Sequence, residues 1–124
     1  MKNDKEKFKT EFKRRIYVWT LKLIKIIDQL PKDNSSQIIA KQLLRSATSI
    51  GANYIEAQAA SSKKDFTNFL HHSLKSANES KFWIALLRDS NKLNKQEANY
   101  LLKELTEIAN ILGSSLLTLK GKRD

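Results

Sequence analysis

Apolar residues recur every three or four positions in four separate stretches of this chain, with polar residues filling the gaps. In the first stretch the series is Phe12, Ile16, Trp19, Leu23, Ile26 and Leu30. That is the spacing of an α-helix with one buried face. Pro31 closes it, because proline lacks a backbone donor and disfavours helix in the residue before it. The pattern therefore predicts a first helix over residues 5–30. The link "PKDNSS" follows, with Asn34 as the expected N-cap and Gln37 as its capping-box partner. A second helix is expected over residues 35–59, with Ile39, Leu43, Ala47, Ile50, Tyr54 and Ala57 inward. Ser62, three residues before Asp65, reads as the cap of a third helix over residues 63–89. Its stripe is Phe66, Leu70, Ser73, Ala77, Ser80, Ile84 and Leu87, flanked by Phe69, Ser76 and Trp83. Asn94 and Glu97 then open a fourth helix over residues 95–118, carrying Ala98, Leu101, Leu105, Ile108, Leu112 and Leu116. The tail "KGKRD" is expected to fray.

Four long amphipathic helices joined by short links fold most simply as an all-α, up-down-up-down antiparallel four-helix bundle. Three glycines and one proline are too few for the many turns of an all-β chain. No internal repeat or composition break divides the 124 residues, so one domain spanning 1–124 is expected.

The second and third helices are unusual in what they turn inward. A hairpin turn near residues 61–62 places Ser46 level with Ser76 or Ala77, Ser49 with Ser73, Gly51 with His72 and Asn53 with Leu70. Small residues meeting small residues allow two backbones to approach closely. Serine hydroxyls can return hydrogen bonds to their own helix carbonyls, so close packing alone accounts for them. The same register places Arg45 level with Glu79, and Glu56 near Thr67 and Asn68. An Arg45–Glu79 ion pair, at least partly buried, is expected across this hairpin. Glu56 and Glu79 fall at opposite ends of it, which argues against a pair of carboxylates converging on one substrate.

Composition narrows the function. With no cysteine, thiolate catalysis, redox chemistry and cysteine-based zinc sites are excluded. His71 and His72 are adjacent, and neighbours on a helix point ~100° apart, so they do not form a two-histidine metal site. No phosphate-cradling glycine loop or nucleophile–histidine–acid arrangement can be read. Trp19 and Trp83 sit at core positions, where packing is the ordinary role. No cofactor, metal or catalytic residue is expected, and the chain reads as a non-enzyme. No run approaches the ~18 consecutive apolar residues of a membrane span, and the charged start is unlike a signal peptide. A cytoplasmic protein without membrane partners is expected.

The charge does point somewhere. Lys plus Arg number 23 against 13 Asp plus Glu, a formal +10, and residues 1–30 alone carry nine basic and four acidic side chains. Such an excess on a small domain suggests a polyanion partner, RNA or DNA, bound through phosphates without reading sequence. The candidate contacts are Lys13, Arg14, Arg15, Lys22, Lys25, Lys63, Lys64, Lys75 and Lys81. The first helix also carries Tyr17, Leu21 and Ile24 beside its core stripe. This apolar arc is wider than the ~100° stripe a bundle helix needs, which makes the three residues candidates for a subunit contact in a homo-oligomer. A protein–protein scaffold for an acidic or polymerase partner is the alternative reading.

The segment "LLRSATSIGANYIEAQAASSKKDFTNFLHHSLKSANESKFWIALL" resembles the four-helix-bundle family of large-subunit ribosomal RNA intervening-sequence proteins. That family includes the accessory variability determinant of diversity-generating retroelements. The matching positions are Arg45, Ser46, Ser49, Ile50, Asn53 and Glu56, then Asp65, Phe66, Leu70, Ser73, Ser76, Ala77, Glu79 and Trp83. Ala57 stands where many members have glycine. The resemblance implies a homo-oligomer, with a five-subunit ring favoured. It also implies a basic surface for RNA or DNA and, in some members, a reverse transcriptase partner.

Overall fold

The computed structural model describes residues 3–121. Within them four helices follow one another: α1 (Asp4–Asp28), α2 (Asn34–Ala59), α3 (Lys63–Asp89) and α4 (Lys95–Gly121). There is no strand among the described residues. Each helix packs against its neighbours in the cycle α1–α2–α3–α4, with no backbone approach across either diagonal. That is the square cross-section of an up-down-up-down bundle.

Local chemistry sets each end. Asn3 caps α1 by accepting from the Glu6 N–H at 2.8 Å. At the far end Gln29 is already the C-cap, two residues earlier than the apolar pattern suggests. Pro31 turns the chain out of the helix, and Leu30 is nevertheless buried as part of the link. The cap of α2 is Asp33, not Asn34, which lies in the first turn and is exposed. Asp33 has two acceptor oxygens and a charge. It accepts from the Ser36 hydroxyl at 2.7 Å, the Ser35 hydroxyl at 3.0 Å and the Ser36 N–H at 3.4 Å. Its carboxylate also lies 3.1 Å from Lys92 in the α3–α4 link, at the same end of the bundle. An asparagine could not make that ion pair. The Ser36 hydroxyl and then Lys92 hold the Asp33 carboxyl far below the usual carboxylate range.

Ser62 caps α3, accepting from the Asp65 N–H at 3.1 Å. Asn91 ends α3 in the left-handed region at φ 62°, a conformation asparagine tolerates better than most residues, and the Lys92 N–H returns to the Leu87 carbonyl. Asn94 then accepts from the N–H groups of Gln96 and Glu97, opening α4. This last helix extends through Gly121, three residues past the end expected from its stripe. The rest of the tail, residues 122–124, lies outside the described residues.

The core is continuous, running through Trp19, Leu23, Leu43, Ile50, Leu70 and Ile84 to Leu101, Leu105, Ile108 and Leu112. Ile26, Ile39 and Phe66 are only partly buried at its margins. Trp19 ties α1 to α4 by donating its indole N–H to the Leu101 carbonyl at 3.1 Å. The helices are not evenly spaced. The α2 and α3 backbones run closest, α3 and α4 next, and α1 stands off from both of its neighbours.

Candidate nucleic-acid interface

The polar residues shared by α2 and α3 belong to the packing of that seam. Ser46, Ser73 and Ser80 are fully buried. Ser73 donates across the seam to the Ile50 carbonyl at 2.8 Å. The Ser46 and Ser80 hydroxyls meet at 2.8 Å and also reach the Leu43 and Ser76 carbonyls of their own helices. Ser46 therefore pairs one turn further along α3 than the Ser76 level. Side chains tilt toward the start of their own helix, so in an antiparallel pair the two partners lean toward each other. Ser49 and Asn53 bond back to the Arg45 and Ser49 carbonyls. Gly51 does not face α3. It faces α1, where an added Cβ would lie 3.3 Å from Ile16 Cγ2.

Arg45 and Glu79 do form an ion pair between α2 and α3, braced by the Trp83 indole, which donates to Glu79 at 3.0 Å. The pair sits at the surface, with Arg45 58% and Glu79 36% exposed, so it is worth under about 1 kcal/mol. The reason is geometric: Arg45 lies on the outer edge of α2, beyond the buried Ser46. Glu56 is exposed on the same helix. A shallow surface groove beside the pair is lined by Ser49, Asn53, His72, Lys75 and Ser76.

The nine cations singled out in the sequence divide into distinct environments. Arg15 is held by α4, with bonds of 2.6 and 2.8 Å to the Glu104 carboxylate and 2.9 Å to Glu107. The Glu104 hydrogen bond raises the Arg15 pKa further, and Arg15 in turn lowers that of Glu104. Its charge is neutralised within the fold. Lys22 is engaged with Tyr100, bonding its hydroxyl and lying 4.8 Å from the ring centre. Lys25 is exposed near the end of α1, and Lys64 on the first turn of α3. Lys75 lies beside the Arg45–Glu79 pair and Lys81 in the α3–α4 groove near His71.

Lys13, Arg14 and Lys63 are arranged differently. Lys13 and Arg14 line a groove between α1 and α2 whose apolar walls include Ile16, Tyr17, Tyr54 and Ile55. Tyr17 is 65% exposed, Leu21 44% and Ile55 50%, while Ile24 is half-buried. Lys63 lines a second cleft at the open end of the bundle, together with Lys5 and Lys9. Tyr54 is the one residue that lines both clefts, so the two are neighbours. Among the described residues, no carboxylate lines either one. Lys5 and Lys9 escape a reading of charge clusters because Glu6 and Glu11 are interleaved with them in sequence. Their signal is helical spacing: Lys5, Phe8, Lys9 and Phe12 fall at i, i+3, i+4 and i+7, on one face.

Residues 9–114 match the family model described as 23S rRNA-intervening sequence protein. The chain belongs to this family. A similar solved structure is a crystal structure of a Bacteroides thetaiotaomicron protein from the S23 ribosomal protein family, described as of unknown function. It is 32% identical, with a TM-score of 0.79, and the match covers 85% of this chain and 97% of that one. None of the curated proteins matches. Neither description indicates a catalytic family. Among the described residues, no group of three or more His, Cys, Asp or Glu side chains could hold a metal ion, and no helix is long and apolar enough to cross a membrane.

Proposed function

We propose that this member of the 23S rRNA-intervening sequence protein family is a non-catalytic, oligomeric accessory protein of the cytoplasm that binds RNA or DNA through phosphate contacts. The observation that carries this reading is the set of cations in two neighbouring clefts, Lys5, Lys9 and Lys63 in one and Lys13 and Arg14 in the other, where no carboxylate among the described residues joins the lining. Arg15, by contrast, is neutralised by Glu104 and Glu107. The positive potential of the two clefts would draw in phosphates. Lys25, Lys64, Lys75 and Lys81 widen the field around them.

Oligomerisation is supported by the α1–α2 face, where Tyr17, Leu21 and Ile55 leave large apolar side chains open to solvent. A homo-oligomer would cover them, and the family, which includes the accessory variability determinant of diversity-generating retroelements, favours a five-subunit ring and makes a reverse transcriptase a candidate partner. Sedimentation equilibrium should return a multiple of the 14.3 kDa chain mass. A monomer mass at micromolar concentration contradicts this part of the reading.

Titration with mixed-sequence RNA and DNA at several salt concentrations tests the binding itself. Affinity should fall steeply with salt, with a log–log slope of about −0.7 per phosphate contact for single strands. Replacing Lys13 and Arg14 by glutamine should weaken binding to all sequences alike. Failure to bind either nucleic acid at low salt would leave the scaffold reading, with the α1–α2 groove as its docking surface.

A further inference from the structure

We propose that the open end of the bundle, between the first turns of α1 and α3, is a seat for an unpaired base, so that the protein selects single-stranded over duplex nucleic acid. This rests on the nucleic-acid reading above and names the form of nucleic acid that the same surface takes.

Two facing stripes build the cleft. On α1 the order is Lys5, Phe8, Lys9, Phe12, and on α3 it is Lys63, Phe66, Leu70. Cations and rings thus alternate on the α1 wall, and α3 adds one of each; in sites that hold single strands, cations follow the phosphates and aromatic faces receive the bases. Phe8 is 51% exposed. Its ring lies nearly parallel to that of Phe12, at 15° and 6.0 Å between centres, and Phe12 is braced edge-on by Tyr54 at 5.1 Å. Phe8 is therefore the outermost member of an aromatic ladder rooted in the core, and its position is set by the rings beneath it. An extra flat ring arriving from solvent would extend that ladder.

The rest of the lining suits a nucleotide. The cleft measures about 600 Å³, within the ~300–1,000 Å³ of sites that hold small molecules. Gln58, Ser61, Ser115 and Thr118 add amide and hydroxyl groups able to bond a base edge or a ribose. Three lysines, with no carboxylate among the described residues of the lining, favour an anion over a peptide of mixed charge. Lys13 and Arg14 line the neighbouring groove across Tyr54, within reach of the backbone of a strand seated in the cleft. A duplex cannot use such a seat, because its bases are stacked within the helix and offer no free face.

The test uses the full chain with a fluorescently labelled uridine 12-mer and with an RNA duplex of the same length, titrated at low salt. The single strand should bind more tightly than the duplex. Phe8→Ala should weaken the single strand roughly 5- to 160-fold, the span of losing one base stack, while leaving duplex affinity unchanged. Phe8→Trp should retain single-strand binding. Phe8 is exposed in the second turn of α1, and an unchanged melting temperature will verify that the variants fold. Equal binding of both probes with a neutral Phe8→Ala overturns the base seat and leaves the phosphate-binding reading intact. An equal loss for both probes also overturns it, since stacking would not act on a duplex. Binding of neither probe overturns both readings.

Discussion

Between α2 and α3 the contact is made by serine and alanine. Ser46, Ser73, Ala77 and Ser80 bring the two backbones together, and a hydroxyl reaches across to a main-chain carbonyl. On the other side of α2 the contact is made by rings. Trp19, Phe12 and Tyr54 hold α1 away from its neighbours, and grooves open beside it. The two flanks share one core yet differ in what they leave over. The tight seam buries its polar atoms in satisfied bonds and presents only a shallow groove and the exposed Arg45–Glu79 pair. The loose flank leaves apolar surface and unopposed lysines facing solvent. Small residues give helix-to-helix precision, whereas large ones give burial with residual concavity, and concavity is where a ligand can sit.

The anchoring of α1 rests most heavily on Trp19. If α1 is held chiefly by large buried side chains, Trp19→Ala should cost about 3–5 kcal/mol in urea unfolding and remove the bond to the Leu101 carbonyl. A loss no larger than that of a surface substitution would mean that α1 is secured in another way. The seam is tested from the opposite direction. Ser73→Leu adds bulk where there is no room and deletes the bond to Ile50, so it should destabilise by about 1–3 kcal/mol although it increases hydrophobicity. A stabilised variant would show that the seam has slack.

Two glycines sharpen the contrast further. Gly113 lies within α4 with nothing within 4 Å of an added Cβ, so Gly113→Ala should stabilise by about 0.5–1 kcal/mol through helix propensity. Gly51→Ala should gain less, because its Cβ would press on the buried Ile16 at 3.3 Å. Thermal unfolding of the two variants side by side measures the difference, and equal gains would show that Ile16 can give way to the added methyl group. The smallest effect concerns the end opposite the open cleft. The folded-state pKa of Asp33 is depressed, so its contribution is present above the unfolded value near 3.9 and is lost as pH falls below it. Asp33→Asn keeps a capping oxygen but cannot titrate. Its stability should therefore fall less steeply than that of the parent below about pH 4, where acid unfolding curves compare the two.

Helix number, order and most boundaries were legible because each rests on local chemistry. The apolar period marks the buried face, and Ser62 and Asn94 are short polar side chains placed to bond the free N–H groups of a first turn. The choice of Asp33 over its neighbour Asn34 was not legible. The bonds of Asp33 to Ser35 and Ser36 are local and compete with an equally plausible cap at Asn34, while its ion pair with Lys92, far along the chain, exists only in the folded bundle. The cations fared similarly. Lys13 and Arg15 look equivalent in sequence, yet Arg15 meets Glu104 and Glu107 on α4 while Lys13 lines an open groove. Lys5 and Lys9, scattered among acids in sequence, align with Phe8 and Phe12 once wound into a helix and brought opposite α3.

The sequence by itself determined the secondary structure, the four-helix topology and the net charge, since periodicity, caps and composition are properties of neighbouring residues and of simple counts. Only the tertiary structure decided which charges are neutralised, which apolar side chains remain uncovered and which small residues face which helix. Those outcomes depend on the rotation of each helix about its axis and on its distance from the others. Both are fixed by side-chain packing between segments far apart in the chain, as where Ile16 settles against Gly51 and Ser73 against the Ile50 carbonyl.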